Sequence, residues 1–493
     1  MPKNGTRHLE SLRDGRKIFI NGKLVDDVTT HPAFRNTTHS MASLYDFQSA
    51  PENVERMTFE SPVTGERVNR QWHLPSNYDE LVTRRQALEA WSEVHFGFMG
   101  RAPDHVASTL AGFMMGIDLL EDHDPARAGA LHDYYAYVRD NDHYVTYVIV
   151  NPQGDRSKAT SDQGDEFHSV AVVDEDSEGI TVKGAKMLGT GTIMCNEVLV
   201  ASLLPLKEGE EHYAVTFAVP MNAKGLKQMC RRSYEESASS VFDNPLSSRY
   251  DENDAILYFD EVKVPWERVF ALRDPQVCRG LFHTAPGHAM QNYQSMIRLM
   301  VKMRFLVGIA RTVAETTGVV NFPQVREKLG QLSSEAHMIE ALVYGMEVSA
   351  RQVGPYVAPT RSAVISALVL AQQLYPKVIT TIRELAGGGL IMLPSDVSDF
   401  ANPELADLIH KTQKSSVYPP EDRVKAFKLA WDAIGSEFGS RHTTYEMFYA
   451  APNFMNQTMA FDSYDWGRAT GMVERMLASY DLEESLADSK NGQ

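Results

Sequence analysis

Arg101 lies in a segment that could stabilise a developing negative charge. The segment reads Gly-Arg-Ala-Pro-Asp-His from position 100 to position 105, and Pro103 favours a turn just before a helix. An arginine held on such a turn has a fixed position, a permanent charge and several hydrogen-bond donors. These properties suit a phenolate or a peroxide. A salt bridge with Asp104 or a neighbouring acid is the ordinary structural alternative.

His288 is the candidate proton acceptor. It opens the stretch His-Ala-Met-Gln-Asn-Tyr-Gln-Ser-Met-Ile-Arg, in which His288, Asn292 and Ser295 share one face of a predicted helix. Apolar surroundings and a helix start both lower the pKa of a histidine, which favours neutral imidazole. Neutral imidazole can accept the proton of a phenol. A capping or hydrogen-bonded structural histidine is the alternative.

Two polar segments, 151–158 and 184–192, lie between two β-branched runs that are typical of strands. Small residues, amides and hydroxyls between strands would let a flat polar ligand lie against the backbone. Gly189 and Gly191 lack Cβ atoms and so permit a close approach. Two ordinary loops of a β domain are the alternative interpretation.

These two segments resemble the FAD-dependent phenol hydroxylases of the 4-hydroxyphenylacetate 3-monooxygenase family. The shared patterns read Asn-Pro-Gln-x-Asp-Arg-Ser-Lys and Gly-Ala-Lys-Met-Leu-Gly-Thr-x-Thr. Further ordered matches lie at positions 11–16, 27–34, 100–105, 245–249, 259–270 and 435–441. Matches over nearly the whole chain make a specific signal, and the chlorophenol and nitrophenol branch is the most similar one.

The resemblance implies the oxygenase component of a two-component aromatic monooxygenase of the EC 1.14.14 type. Reduced FAD would come from a separate NAD(P)H:flavin reductase and react with O2 to give a C4a-hydroperoxyflavin in a closed apolar pocket. A phenol would become a catechol by ortho-hydroxylation, or a quinone by para-hydroxylation with loss of halide or nitro. The sequence has no P-loop, and Gly189-Thr-Gly-Thr lacks the third glycine of a dinucleotide fingerprint, which agrees with a separate reductase.

The resemblance also assigns roles to individual residues. His288 and Arg101 are the implied catalytic residues, as base and as charge stabiliser. The implied substrate contacts are Arg101, His105, Tyr147 and Ser202. The implied cofactor contacts are Tyr147, Val148, Ile149, Gln153, Gly154, Asp155, Arg156, Thr190, Phe438, Tyr449 and Ala451. His105 and Tyr147 stand where the 4-hydroxyphenylacetate enzymes carry Tyr and His, which favours a differently shaped phenol pocket.

Other functions remain to be weighed. The sister family of 4-hydroxybutyryl-CoA dehydratases ligates an iron–sulfur cluster through three Cys and one His. Its His matches His288, but this chain has Ser295 at one Cys position and no Cys near Arg101, which argues for the oxygenase. An acyl-CoA dehydrogenase-like enzyme with bound FAD and a non-enzymatic helical scaffold are the remaining alternatives.

The hydrophobic periodicity predicts an α+β protein in three parts. Helical spacing dominates 1–143, a period near two dominates 144–275, and helical spacing returns in 276–493. A helical domain, a flavin-binding β-barrel-like domain and a four-helix bundle form the layout of the acyl-CoA dehydrogenase-like fold. By analogy with that fold, a homotetramer is expected.

Composition and charge limit the function classes. A net charge of −17 argues against nucleic-acid binding, which requires a basic face. Three widely spaced cysteines predict no disulfide framework and fit a reducing cytoplasm. The histidines show no convincing metal-site pattern, the N-terminal segment lacks the apolar core of a signal peptide, and no apolar run predicts a membrane span.

Overall fold

Capping side chains and prolines set where the N-terminal helices begin. The computed structural model describes residues 2–155, 157–165, 167–203, 205–483 and 486–487. Asn77 caps one helix by accepting from the backbone N–H of Glu80, and Asp124 caps another just before Pro125. The helices are α1 (Gly5–Ser11), α2 (Arg35–Ser49), α3 (Val54–Met57), α4 (Tyr78–Val94), α5 (Pro103–Met115), α6 (Asp118–Glu121) and α7 (Pro125–Asp140). The strands are β1 (Lys17–Ile20), β2 (Lys23–Leu24), β3 (Thr58–Glu60) and β4 (Arg67–Asn69).

The middle of the chain is formed mainly of strands. They are β5 (Val145–Val148), β6 (Ala171–Asp176), β7 (Gly179–Thr190), β8 (Glu197–Ala201), β9 (Val215–Pro220), β10 (Leu226–Cys230), β11 (Asp254–Pro265) and β12 (Val269–Leu272), with the short helix α8 (Ser247–Tyr250). Within the described residues, one sheet has the order β2-β1-β10-β11-β7-β6 and the other has the order β12-β9-β8-β5. β5 runs parallel to β8, with Tyr147 opposite Leu199.

Three details of this region differ from the expectation. The described strands form two open sheets with free edges rather than a closed barrel, because β6 and β2 end one sheet and β5 and β12 end the other. β1 joins the larger sheet through β10, although it precedes the predicted β domain. Residues 184–190 of the second polar segment continue β7 rather than forming a loop, and they pair with β11.

The C-terminal part is helical, as predicted. Its helices are α9 (Pro275–His283), α10 (Gly287–Thr316), α11 (Pro323–Val348), α12 (Arg361–Ala386), α13 (Ala406–Thr412), α14 (Pro420–Ile434), α15 (Glu437–Phe448), α16 (Asn453–Ser463) and α17 (Trp466–Leu477). A hairpin of β13 (Arg351–Val353) and β14 (Tyr356–Ala358) joins α11 to α12. α10 packs on α11, α12 and α14, which forms the predicted bundle, and Gly387 caps α12 with φ +59°.

α10 is the central helix of the protein. It packs against α5 of the N-terminal part and against the bundle, so residues 287–303 are buried on every side. Apolar residues fill most of this surface, but Gln291, Gln294, Arg298 and Lys302 are buried with them. Buried polar groups need partners, and these side chains mark the part of the fold where polar chemistry is concentrated.

One helical stretch of the described residues, Arg361–Leu390, is long and apolar enough to cross a membrane. It consists mainly of α12, whose Val364, Leu368, Ile379 and Ile382 are buried in the bundle. The stretch is therefore explained as a core helix.

Candidate active site

Arg101 is fixed by its backbone at the turn that precedes α5. Its N–H donates to Glu252 Oε1 at 2.6 Å, and its carbonyl accepts from the hydroxyl of Tyr144. Pro103 is the first residue of α5, as the sequence predicts. The turn therefore directs the side chain inward, where only 8% of the residue is exposed.

The guanidinium of Arg101 lies among tyrosine rings. Its central carbon is 4.9 Å from the ring centre of Tyr147, 5.4 Å from that of Tyr445 and 5.8 Å from that of Tyr449. Among the described residues, no carboxylate oxygen lies within 4.0 Å of this guanidinium, so the alternative of a salt bridge with Asp104 is not realised. The rings stabilise the cation without neutralising it.

His105 lies one helical turn after Arg101. Its Nε2 contacts Arg101 Nη1, and its Nδ1 is 3.0 Å from Gln294 Oε1. Burial and then the charge of Arg101 lower the pKa of His105 well below its usual value. This network favours the neutral tautomer in which Nδ1 donates to Gln294 and Nε2 accepts from Arg101.

Tyr147 completes this cluster from strand β5. Its ring stacks on His105 with a centroid separation of 5.4 Å and an interplanar angle of 27°. Its hydroxyl accepts from Gln291 Nε2 at 2.9 Å. α5, β5 and α10 thus bring Arg101, His105, Tyr147 and Gln291 together, although the chain separates them widely.

His288 lies one turn before Gln291 on α10, about 5 Å along the helix axis. It is 9% exposed, and its Nδ1 is buried without a hydrogen-bond partner. Burial, then His283 and then Arg361, lower the pKa of His288 to about 3. This agrees with the sequence prediction of a neutral imidazole at a helix start. The backbone carbonyl of His288 accepts from the Asn292 side chain at 2.9 Å.

Thr190 belongs to a second polar network beside this cluster. Its hydroxyl donates to Asp254 Oδ1 at 2.6 Å, and Asp254 also accepts from Arg441 at 2.6 Å and from Arg231 at 2.8 Å. Burial alone would raise the pKa of Asp254, but the guanidinium groups of Arg441 and Arg231 hold this pKa well below its usual value. Arg441 also lies 5.0 Å from the ring centre of Tyr445, which connects the two networks.

Comparison with known proteins decides the family. The models of the 4-hydroxyphenylacetate 3-hydroxylase N-terminal and C-terminal regions match residues 4–271 and 278–478. The chain belongs to the 4-hydroxyphenylacetate 3-hydroxylase family. A 4-hydroxyphenylacetate 3-monooxygenase oxygenase component from Geobacillus sp. (strain PA-9) is 33% identical over 94% of each chain. A 4-nitrophenol 2-monooxygenase oxygenase component from Rhodococcus sp. is 35% identical over 97% of this chain and 93% of its own.

Solved structures support the same family and the predicted fold. The oxygenase component of 4-hydroxyphenylacetate 3-monooxygenase complexed with FAD matches with a TM-score of 0.92 and 31% identity, over 98% of this chain and 99% of the other. A 4-hydroxybutyryl-CoA dehydratase from N. maritimus matches with a TM-score of 0.88 over 97% of this chain and 96% of the other. At 20% identity, this second likeness concerns the fold alone. The predicted fold of helices and β-sheet is thereby confirmed.

The residues that the family resemblance implies just before and after residue 150 differ in exposure. Val148 is buried in β5, while Gln153, Gly154 and Asp155 are exposed in the segment after it. Arg156 lies outside the described residues. A Cβ on Gly154 would come within 2.4 Å of both Gln163 Oε1 and His168 Nε2, so a larger residue here would displace the ends of these two side chains.

Ser202 and Ile149 lie near Lys186 rather than near Arg101. The ammonium of Lys186 is 2.8 Å from Asn151 Oδ1, 3.4 Å from the carbonyl of Ile149 and 3.5 Å from Ser202 Oγ. Burial lowers the pKa of Lys186 to about 7. Ile149 follows Tyr147 by two positions, so this polar group lies about 7 Å farther along the same chain segment.

Phe438, Gly189 of β7 and Gly191 just after that strand serve packing within this chain. Phe438 is buried, stacked on Phe98 at 5.6 Å and in edge contact with His442. A Cβ on Gly191, whose φ is +77°, would lie 2.4 Å from the hydroxyl of Tyr144. A Cβ on Gly189 would lie 2.6 Å from Leu257. The close approach predicted for these glycines is made by the protein itself.

The C-terminal segment around Tyr449 has polar atoms that suit a flavin. The hydroxyls of Tyr445 and Tyr449 and the side-chain carbonyls of Asn453 and Asn456 are buried without hydrogen-bond partners. A flavin ring offers acceptors and a donor to such groups. Ala451, with φ +84°, turns the chain between these residues, and its carbonyl accepts from Gln372 at 2.7 Å. The residues present therefore fit FAD.

Sequence reasoning missed several members of the site. Arg441 and Tyr445 lie four residues apart on one face of α15, and Tyr449, which the resemblance does imply, follows at the C-cap of that helix. Gln291 and Gln294 are polar residues within an apolar helix, next to His288. Both patterns are visible in the sequence, but only the fold shows that the two helices meet at Arg101. Within the described residues, no group of three or more His, Cys, Asp or Glu side chains could hold a metal ion.

Proposed function

We propose that this chain is the oxygenase component of a two-component, FADH2-dependent monooxygenase that hydroxylates a phenol. The observation that carries the proposal is the buried guanidinium of Arg101, which has tyrosine rings around it and no carboxylate partner among the described residues. A buried cation without a direct carboxylate partner favours an anion beside it. A phenolate is such an anion, and it is the reactive form of a phenol.

The chain can make the phenolate with its own residues. The low pKa of His288 keeps its imidazole uncharged, and its Nδ1 has no partner among the described residues, so the lone pair of this nitrogen is available for the phenol proton. Arg101 then stabilises the negative charge on the phenolate oxygen, in a site from which water is largely excluded. His105 and Tyr147 hold Arg101 in place from two sides. The ionised ring is electron-rich at the positions ortho and para to the oxygen, where a hydroxyl group is added.

FAD, when bound in its reduced form, supplies activated oxygen from O2 for this transfer. The backbone from Tyr147 to Ile149, Thr190, Tyr449 and Ala451 would hold it, with Gln153, Gly154 and Asp155 at the exposed end. Hydroxylation of the phenol at an unsubstituted ortho carbon gives a catechol. Hydroxylation at a para carbon that bears halide or nitro gives a quinone with loss of that group.

Two kinds of partner follow from this proposal. A separate NAD(P)H:flavin reductase supplies the reduced flavin, in agreement with the absence of a dinucleotide fingerprint from the sequence. Further copies of the chain form a homotetramer, for which α16 and α17 offer an apolar surface. Phe454 is 68% exposed, Phe461 is 61% exposed and Met476 is 64% exposed, and such a patch is typical of an interface. We place the enzyme in the cytoplasm.

The test combines the purified protein with a general FAD reductase, NADH, FAD and a panel of para-substituted phenols. Catechol or quinone products that require both proteins would support the proposal and name the preferred phenol. If free phenols are unchanged but aminoacyl phenols on a carrier protein are converted, the substrate is carrier-tethered. Tight co-purification of FAD together with binding of CoA esters would instead favour an acyl-CoA dehydrogenase-like enzyme.

A further inference from the structure

Two histidines face each other where α9 ends and α10 begins. His283 is the last residue of α9, and His288 is the second residue of α10. Their ring centroids are 5.4 Å apart, with an interplanar angle of 39°. The Nδ1 atom of each ring is buried and has no hydrogen-bond partner in the part of the chain that the structure describes. A structural histidine normally uses such an atom. Several described histidines have an unpaired buried ring nitrogen, and His283 and His288 are the two among them whose rings contact each other.

The charged groups that face this pair are cations. Arg361, at the start of α12, donates to the carbonyl of His283 at 2.9 Å, and Arg279 lies one turn earlier on α9. Among the described residues, no carboxylate lies within 4.0 Å of either imidazole. Burial, then Arg361 and then Arg279, lower the pKa of His283 to about 4. A proton placed on either ring is therefore readily passed on.

The pair leads from the interior toward solvent. His288 is 9% exposed, whereas His283 is half-buried at the C-terminus of α9, where the helix carbonyls favour a transient positive charge. The tight junction between the helices holds the two rings at this separation, because a Cβ on Gly287 would collide with the carbonyl of Leu281 and the ring of Phe113. A ring separation of this size leaves room for transfer directly or through one water.

We propose that His283 is the second member of a two-histidine relay that carries the phenol proton from His288 to solvent. The relay rests on the proposed function, in which His288 is the base. The phenol O–H bond breaks, and its proton binds His288. His288 then passes a proton to His283, and His283 releases one to water. Both imidazoles end the cycle neutral, and no electrons are transferred. His283 acts only through His288 and is a positioning residue for proton exit.

The experiment uses the flavin-free protein and 4-nitrophenol, whose phenolate absorbs visible light. Stopped-flow mixing in weak buffer with a pH indicator follows phenolate formation and proton release separately. The variants are His283→Phe, which keeps an aromatic ring at the junction, and His283→Gln, which keeps polarity. His132→Gln is the matched control, because His132 is exposed on α7. The dissociation constant of 4-nitrophenol is measured for every protein.

We expect the His283 variants to bind 4-nitrophenol with an unchanged dissociation constant and to release the proton about tenfold or more slowly. Added imidazole should restore the rate, and His132→Gln should behave as the unaltered protein does. In turnover, kcat should fall while KM does not change. Proton release from both His283 variants at the normal rate would overturn the relay and leave His288 as the base. If the unaltered protein forms no phenolate, the base itself and the relay are both overturned.

Discussion

The guanidinium carbon of Arg101 lies 4.9 Å from the centre of the Tyr147 ring. One residue comes from the turn before α5 and the other from the parallel strand β5, so this contact exists only when the N-terminal helices and the smaller sheet are packed together. A further hydrogen bond holds each partner in place. The backbone N–H of Arg101 donates to Glu252, and the hydroxyl of Tyr147 accepts from Gln291. The cation is thus held in a defined place before any substrate binds.

Arg101→Lys should lower turnover by about 10²- to 10³-fold, as does the loss of a group that stabilises charge in other enzymes. Lysine keeps the charge but loses the planar group that packs against three tyrosine rings. The rate of product formation measures the effect. Arg56→Lys is the matched control, because the Arg56 guanidinium also covers an aromatic ring, that of Phe47 at 5.7 Å, on the surface. Equal activity of both variants would remove Arg101 from the mechanism.

His288→Ala should fold normally and lose about 10²- to 10⁴-fold in hydroxylation rate at neutral pH. The defect should shrink as the pH rises past the ionisation of the free phenol, because solvent then supplies phenolate directly. The pH profile of product formation checks this. A profile parallel to that of the unaltered enzyme would show that His288 does not remove the proton.

Tyr449→Phe should weaken FAD binding by about two- to tenfold and leave the thermal midpoint unchanged. The hydroxyl has no partner among the described residues, so its loss costs the fold little, whereas a bound flavin would lose a hydrogen bond. Tyr375→Phe is the control, because its hydroxyl is also buried without a partner but lies inside the bundle. Calorimetric titration of FAD into both variants separates a flavin contact from a packing role. Equal FAD affinities of the two variants would mean that the flavin does not contact Tyr449.

Glu446 should support stability mainly above pH 4.5. Burial alone would raise the pKa of Glu446, but Arg298 and Lys302 lower it to about 2. The folded state therefore binds the proton of this carboxyl group less tightly than the unfolded chain does. The stabilisation, about 3 kcal/mol, is present above pH 4.5 and is lost as the pH falls toward 2. The difference in unfolding free energy between the unaltered protein and Glu446→Gln should narrow over that range. Exposed Glu437→Gln should show no such narrowing.

The double variant His105→Tyr with Tyr147→His should have higher activity on 4-hydroxyphenylacetate relative to 4-nitrophenol, because the 4-hydroxyphenylacetate enzymes carry Tyr and His at these two positions. The two rings stack on each other at 5.4 Å, so the single exchanges should not add up to the effect of the pair. The ratio of kcat/KM values for the two phenols is the measurement. A ratio that does not change would mean that these positions do not shape the pocket.

Local rules predicted the parts of the fold that depend on neighbouring residues. Pro103 marks the start of α5 because its ring fixes φ, and Gly387 marks the end of α12 because glycine tolerates a positive φ. The pairing of β1 with β10 joins Lys17 to Lys227 across more than 200 positions. No local pattern contains that information. For the same reason, the polar composition of residues 184–190 did not indicate that they form a strand.

Part of the site could also be predicted. Residue type and family resemblance single out Arg101 and His288. The structure buries both residues, and their catalytic roles stay predictions. The ion pair of Arg298 with Glu446, at 2.8 Å for one of its two contacts, was not predicted. Its signal was present, since Arg298 and Lys302 interrupt an apolar helix at an interval of four, but the acidic partner comes from α15, which only tertiary packing brings near.

The measurement that tests the central claim most directly is turnover under ¹⁸O2 with FAD, a flavin reductase, NADH and a phenol. The account predicts a hydroxylated aromatic product that carries one labelled oxygen atom, formed only when this chain is present and lost in His288→Ala while NADH is still consumed. Production of hydrogen peroxide alone, with every phenol recovered unlabelled and unchanged, would contradict it.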